Sequence, residues 1–505
     1  MNCTRITQKW NDLTQRPFET HDGASLAVFR IMLGILLLSD ALNKFPKKFI
    51  IKDFRPTYHG FDWIQANPDL VNLCINILPY TIICVIFGFL YRITMPVTTL
   101  MVAYLFFAFP EHYLNHYYLL LLYLILMSVI PAHKTWSIDA IIQNKKEENT
   151  TPSWCYLILK LQTEIMLIFA GLVKINNDWL HLLPLSGWIR IGFQDIPIIN
   201  HLVLYDTTIA IGAYGIILLH ILGAPLLFHR KTRPWIFGLY VCFHLINSQI
   251  FHIGIFPFMA IAATLLFFAP NWPKTFWSKI SIYILPPLTH IKNATSKSKL
   301  PRKIIIALIS IWLLVQIVLP IPALLSTNLQ VEWTGHRDMF SWRMMLNERS
   351  IKSAVFAVHI PERRRIEFVS LKSHLTPMQC FRITWSDTTV QFANYLEKLY
   401  QEKYDTNDVR VHAYIIIRVN LREEELWANP TIDISKYETK YGTYEWLEPA
   451  NNKLRTWKEY VQSSNYEPPT YGEILDAMQL PNEEIIVFAD VNDNLNSHPS
   501  KPRCE

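Results

Sequence analysis

The chain has 505 residues, 51% of them hydrophobic and 17% charged, with a mean hydropathy of +0.17. A water-soluble protein carries charge on nearer a quarter of its residues, so a wholly soluble globule is excluded. The formal net charge of +6 is modest and sits mostly in loops beside apolar runs, which suits membrane topology better than nucleic-acid binding.

Taken in chain order, apolar runs able or nearly able to cross a bilayer recur up to about residue 325. They cover roughly 24–43, 71–91, 93–109, 117–131, 153–174, 206–228, 233–251, 253–270 and 304–325. The first follows about two dozen mostly polar residues and reads as a retained span rather than a cleaved signal. The stretch 45–70, with Lys44, Lys47, Lys48, Lys52 and Arg55 in or beside it, reads as an amphipathic segment lying at the interface. After residue 326 charges become dense. "RRRIEFVSL", "VRVHAYIIIRVNL" and "EEIIVFADV" read as strands, and "TVQFANYLEKLYQEKY" and "NNKLRTWKEYVQSS" as amphipathic helices. The fold class expected is therefore a polytopic α-helical membrane domain of about nine spans, residues 1–325, followed by a mixed, β-rich soluble domain, residues 326–505. The basic "KNATSKSKLPRK" links the two.

Lysine and arginine set the orientation. Arg92, Lys134, Lys145, Lys231 and Lys274 fall in one set of loops, so the other set, and the soluble domain with it, faces the extracytoplasmic or lumenal side. Three distant segments then deliver polar groups to that face. "FPEHYLNHYYL" places Asn115 and His116 there, and "IFAGLVKINNDW" closes its span with Lys174. "CFHLINSQIFHIGIF" adds His244, Asn247, Ser248, Gln249 and His252. Ionisable groups at membrane depth are costly and usually mark function. Taken singly, Lys174 reads as a snorkelling anchor and each histidine as a hydrogen-bonded structural residue; together they favour a site. His244 and Ser248, four apart, share a helix face, with Asn247 beside them. Gln162 faces the same cavity from deeper in its span, or clamps two helices together. Lys160 and Glu164, also four apart, most simply pair.

The seven cysteines show no CxxC and read as packing thiols. There is no HExxH, no G-x-S-x-G and no dinucleotide or phosphate-cradling glycine loop, so no metal centre or nucleotide is expected. These absences favour an apolar, bilayer-soluble substrate. A transporter or a membrane-anchored binding protein stays open at this point; the first predicts polar groups spread across the membrane depth, and the second needs no uncharged lysine.

"DGASLAVFRIMLGILLLSD", "YLNHYYLLLLYLILMSVIPAHKTWSID", "IFAGLVKINNDW" and "FHLINSQIFHIGIFPFM" closely resemble the vitamin K-dependent gamma-carboxylase family, and the likeness runs on through "GHRDMFSWRMML" and "NPTIDIS" to "EEIIVFADV". The resemblance implies a short relative without the C-terminal extension of animal members. It departs at Tyr113 and Leu114, where animal members carry tryptophan and asparagine. It implies vitamin K hydroquinone, O2 and CO2 as co-substrates, membrane lipid and quinone as surroundings, and a glutamate-containing protein or peptide as partner. By position Lys174 is the base that deprotonates the hydroquinone, and His116, in the N-H-x-Y motif after Asn115, assists carboxylation. Oxygen then yields a strongly basic alkoxide that ends as the 2,3-epoxide; it takes the γ proton of a glutamate, and the carbanion captures CO2. His244, Asn247 and Ser248 would shape the quinone end. Met344 and Met345 would line the floor or serve as core. Epoxidation without glutamate carboxylation is the alternative within the family.

Overall fold

The computed structural model describes residues 16–499 except 144–148, 252, 281–300, 327, 440–443, 452, 456–458, 461–465, 482, 489 and 491–492. The membrane half is built on α1 (Ala24–Asn43), α2 (Pro68–Phe87), α3 (Tyr91–Ala108), α4 (Asn115–Val129) and α5 (Ser153–Leu172). It continues with α6 (Asp206–Leu218), α7 (Arg233–Ile250), α8 (Phe256–Leu265) and α9 (Arg302–Val318). Apolar residues three and four apart make each packing stripe. Leu26, Phe29, Leu33 and Leu37 of α1 join Val71, Cys74, Leu78, Ile82 and Val85 of α2 in one core. α2 packs on α1 and α3, α3 on α4, and α5 is surrounded by α4, α6, α8 and α9. A short pairing of β1 (Thr20–Asp22) with β2 (Thr150–Pro152) closes one end.

Among the described residues six helices, against about nine expected spans, are long and apolar enough to cross a membrane. The expected spans 117–131 and 253–270 condense into helices of 15 and 10 residues, about 22 and 15 Å against a ~30 Å hydrocarbon core. α7 has the length, but His244, Asn247, Ser248 and Gln249 dilute its hydropathy. The two charges in the first span are satisfied inside the protein. Arg30 donates to the carbonyls of Ala132, Ile86 and Trp136. Asp40 pairs with Lys44 at 2.7 Å and accepts from the Tyr117 hydroxyl at 3.0 Å. Lys160 and Glu164 do not pair: the ammonium lies 5.9 and 5.8 Å from the rings of Tyr156 and Phe267, and Glu164 Oε1 is buried without a partner. Gly88, at φ 62°, is required where it sits, because a Cβ there would meet Ser137 Cβ at 2.5 Å and the Arg30 guanidinium at 2.9 Å.

In the soluble half, β3 (Arg349–Ile360), β4 (Arg365–Val369), β5 (Arg410–Val419), β6 (Glu425–Leu426) and β7 (Ile485–Val487) form one sheet in the order β6-β5-β3-β4-β7. It is antiparallel except at β4–β7. Alternate residues of β3 face opposite cores. Phe356, Val358 and Ile360 meet α11 (Ser386–Tyr404) through Val390, Phe392, Ala393 and Leu396, while Val355 and Ala357 meet α12 (Tyr471–Ala477) through Ile474 and Leu475. The strands expected in "VRVHAYIIIRVNL" (409–421) and "RRRIEFVSL" (363–371) form, over 410–419 and 365–369; "EEIIVFADV" keeps three strand residues among those described, and most of the helix expected at 451–464 lies outside the described residues. Preceding α11 is α10 (Pro377–Arg382), whose start is fixed by a reciprocal cap between Thr376 and Gln379.

The stretch 45–70, expected as an amphipathic segment, makes one turn at Phe45–Lys48, runs irregularly to Asn67, the residue that caps α2, and packs in part against the soluble half. There the Thr57 backbone exchanges hydrogen bonds with the Gln391 side chain at 2.8 and 3.0 Å, and Phe54 meets Phe392 edge-on. Phe54 and Tyr58 are buried, while Phe61 and Trp63 stay exposed. Cys74, Cys84, Cys155 and Cys242 are free, but Cys380 is disulfide-bonded, which corrects the reading of all seven as packing thiols; Cys3 and Cys504 lie outside the described residues.

Candidate functional site

"KINNDW" is a corner in which Lys174, Asn176, Asp178 and Trp179 each make a specific contact. α5 ends at Leu172, and Asn176 then caps the short helical turn Asn177–Leu180, accepting from the Trp179 amide at 2.8 Å and donating to the Val173 carbonyl at 2.8 Å. The turn folds Lys174 back into the protein, where it is 5% exposed. Trp179 wedges beneath it, its indole donating to the Ala213 carbonyl at 3.2 Å and its ring 5.1 Å from Nζ. Asp178 reaches into the soluble half, pairing with both Arg422 nitrogens at 2.6 Å and accepting from Asn420 at 2.5 Å, all three residues buried.

Lys174 lies past the last turn of α5, outside the membrane-spanning segment. Its Nζ donates to the carbonyls of Ala170 at 3.0 Å and Met344 at 3.1 Å. Among the described residues no carboxylate pairs with it. Burial, and next the Arg343 guanidinium, pull its pKa from 10.5 to about 7. A lysine so placed is a usable base near neutrality, unlike a snorkelling one.

The soluble half brings its own wall through the loop 335–347. Gly335, Arg337, Phe340, Trp342 and Met345 all hold positive φ, between 58° and 70°, a conformation that bulky residues adopt only when their surroundings enforce it. Asn115 is one enforcer, donating from Nδ2 to the Arg343 carbonyl at 3.0 Å while its Oδ1 accepts from the Tyr113 hydroxyl. Lys174, on the next carbonyl, is another. Arg343 forms a buried ion pair with Glu332 and lies 3.6 Å from Asp338. Burial raises the Glu332 pKa to about 7 against the opposing pull of Arg343. Arg349 donates to the Thr384 and Glu332 carbonyls. Arg382 donates to those of Glu111 and Tyr113 and stacks 3.7 Å above the Trp385 ring.

These elements enclose a cavity of about 340 Å³, within the range of roughly 300–1,000 Å³ usual for small-molecule sites. The structure brings Asn115, His116, Lys174, Asn247, Met344 and Met345 to its wall. Gln162, His244 and Ser248 are not on it. Gln162 accepts from the Trp312 indole at 2.9 Å, tying α5 to α9, which is the helix-clamp alternative. His244 is fully buried among the rings of Tyr240, Phe243 and Phe256, and the Ser248 hydroxyl turns back to the Leu245 carbonyl at 2.7 Å. A shared helix face was not enough, because the cavity is lined by the neighbouring face, through Phe243 and Asn247. His252 lies outside the described residues. Sequence reasoning missed His220, Trp188, Asp338 and the three arginines 343, 349 and 382, all lining residues. A charge directly before the paired methionines was the one available signal. Among the described residues no group of three or more His, Cys, Asp or Glu side chains is placed to hold a metal ion.

A membrane-embedded helical half that shares one cavity with a mixed soluble half defines a two-part membrane protein, and each part matches a known family. Residues 18–272 match the family model of the HTTM domain. Residues 301–453 match that of the vitamin K-dependent gamma-carboxylase, lumenal domain. The chain belongs to the vitamin K-dependent gamma-carboxylase family. No solved structure matches it with significance.

Proposed function

We propose that the protein is a membrane-embedded, vitamin K-dependent glutamyl carboxylase that couples hydroquinone epoxidation by O2 to CO2 addition on a glutamate side chain. The observation that carries this reading is Lys174: buried, without a counter-carboxylate, and set in a cavity between the membrane half (1–325) and the soluble half (326–505). The hydroquinone supplies the electrons and, once oxygenated, the strong base. Lys174 supplies the weaker base that starts the sequence, its neutral Nζ taking a hydroxyl proton. Water exclusion by the surrounding aromatic rings keeps the later base from being quenched. His116 lines the same cavity, its ring 4.5 Å from that of Tyr117, and would face the incoming glutamate. Arg343, Arg349 and Arg382 line the cavity with one carboxyl, Asp338, among them and would offer the glutamate carboxylate a cationic wall.

The cavity and the soluble half face the lumenal or extracytoplasmic side in this reading. Loop charge supports that side, and the Cys380 disulfide suits an oxidising compartment. Cysteines placed at the exposed positions Asn177 and Lys436 should react with an impermeant thiol reagent from one side, and a cysteine at Lys231 from the other. The decisive test of activity is the purified protein in lipid, supplied with reduced vitamin K, O2, labelled CO2 and a glutamate-rich peptide. Epoxide together with labelled peptide is expected. Epoxide without label assigns an epoxidase, and no hydroquinone-dependent oxygen uptake overturns the proposal.

A further inference from the structure

His220 has no part in the reading above, yet it shares the cavity wall with Lys174. Four independent features place it there. It lies on a π-helical turn, Leu219–Gly223, that interrupts the helix begun at Asp206; such turns are rare and gather at functional sites. Gly171, one turn before Lys174 on α5, lets that turn approach, since a Cβ there would meet His220 Cβ at 2.9 Å and Ile221 Cγ1 at 2.8 Å. Tyr240 and Phe243 hold the imidazole edge-on, with ring centroids 5.8 and 5.3 Å away. Finally, His220 Nδ1 is 2.8 Å from the Ile216 carbonyl. A carbonyl only accepts, so Nδ1 carries the proton and Nε2 of the neutral ring is an acceptor.

We infer that His220 is a second acceptor in the cavity, taking a hydrogen bond from the hydroxyl of a para-hydroquinone that Lys174 does not touch. The inference rests on the quinol reading of the site and adds a residue that orients the ring within it. With one acceptor the diol can bind either way round; with two, each hydroxyl has an assigned partner and the one facing Lys174 is fixed.

The test uses full-length protein in lipid without oxygen, reading quenching of the cavity tryptophans Trp179, Trp188 and Trp385. The probes are 2-methyl-1,4-naphthohydroquinone and the two mono-hydroxy analogues that each lack one hydroxyl. Wild type should bind both analogues about fivefold more weakly than the diol, the size of one neutral hydrogen bond. His220→Phe should erase the penalty for one analogue and Lys174→Ala the penalty for the other, while His220→Gln, which keeps an acceptor, should retain the first. A wild-type penalty against only one analogue overturns the inference even if no variant folds. So does a His220→Phe protein that keeps both penalties or loses both. Failure of wild type to bind the diol at all is a different result, and it removes the quinol reading itself together with this inference.

Discussion

In the membrane half the buried charges can be accounted for one at a time. Arg30 is taken up by carbonyls and Asp40 by Lys44 and Tyr117. Among the described residues Glu111, Glu164 and Lys174 have no opposite charge paired with them, and of these three Lys174 lines the cavity. In the soluble half buried charge comes in networks: Arg343 with Glu332, Arg422 with Asp178, Glu367 with Arg365, Lys403 and Tyr404. A charge held in a network is fixed in position, and its partners oppose the loss of its charge. A desolvated amine without a partner meets no such opposition, and its proton is available for chemistry. The difference suggests a division of labour, with the soluble half positioning and the membrane half reacting.

That division breaks most sharply at Lys174. Lys174→Ala should lower hydroquinone-dependent oxygen uptake by about 1,000-fold, while the protein still inserts and elutes as wild type. A small added amine should restore part of the rate. In wild type the rate should climb as pH rises through about 7, where Lys174 loses its proton. Full epoxide formation by the alanine protein would put the reactive base elsewhere.

A second test probes whether the networks position rather than react. Asp178→Ala strands the buried Arg422 guanidinium, at a cost of about 3–5 kcal/mol read as a lower melting temperature. Asp178→Ala with Arg422→Met should lose clearly less than the two single changes added together. Strict additivity would show that the pair does not couple the halves. Third, His116→Ala should slow carboxylation about ten- to a hundredfold while sparing epoxidation; equal loss of both products would make His116 a structural residue.

The smallest effect concerns Glu111, a buried acid at the seam. Gln379 donates to its Oε1 at 3.0 Å while Oε2 has no partner. Burial raises its pKa from 4.5 to about 7. Between those values the folded protein holds a proton that the unfolded chain has released, so stability declines as pH rises from 4.5 to 7 and then levels. Glu111→Gln removes that decline. The variant should be about 1–2 kcal/mol more stable than wild type at pH 8, with the gain gone near pH 4.5. A gain independent of pH would mean the carboxylate is already charged when folded.

The same contrast governs how far the sequence could be read. In an apolar background Lys174, Asn115 and His116 stand out, and the turns carrying them do meet at one cavity. The span number was overcounted because hydropathy registers apolar segments without their helical length, and α4 and α8 are short. Gln162, His244 and Ser248 have the right depth or face, but the rotation of α5 and the tilt of α7 set their true neighbours, and no single-sequence pattern encodes those. Beyond residue 326 arginines are common, so apart from the place of Arg343 directly before two methionines nothing in the sequence separated Arg343, Arg349 and Arg382 from their neighbours. Asp178 was legible as part of "NNDW", yet its partners lie more than 240 residues away.

The left-handed run from Gly335 to Met345 closes an ordinary route to engineering this protein. Where a bulky residue holds positive φ, replacement by glycine normally relieves backbone strain of roughly 1–2 kcal/mol. Here the side chains at those positions are the architecture. Trp342 is 1% exposed with its ring 4.9 Å from Tyr118, Phe340 packs on Tyr58, Tyr113 and Tyr118, and Met345 lines the cavity. A thermostabilised version would therefore have to be sought on the outer faces of the helices and sheet, because relaxing this loop removes the shape that the cavity wall depends on.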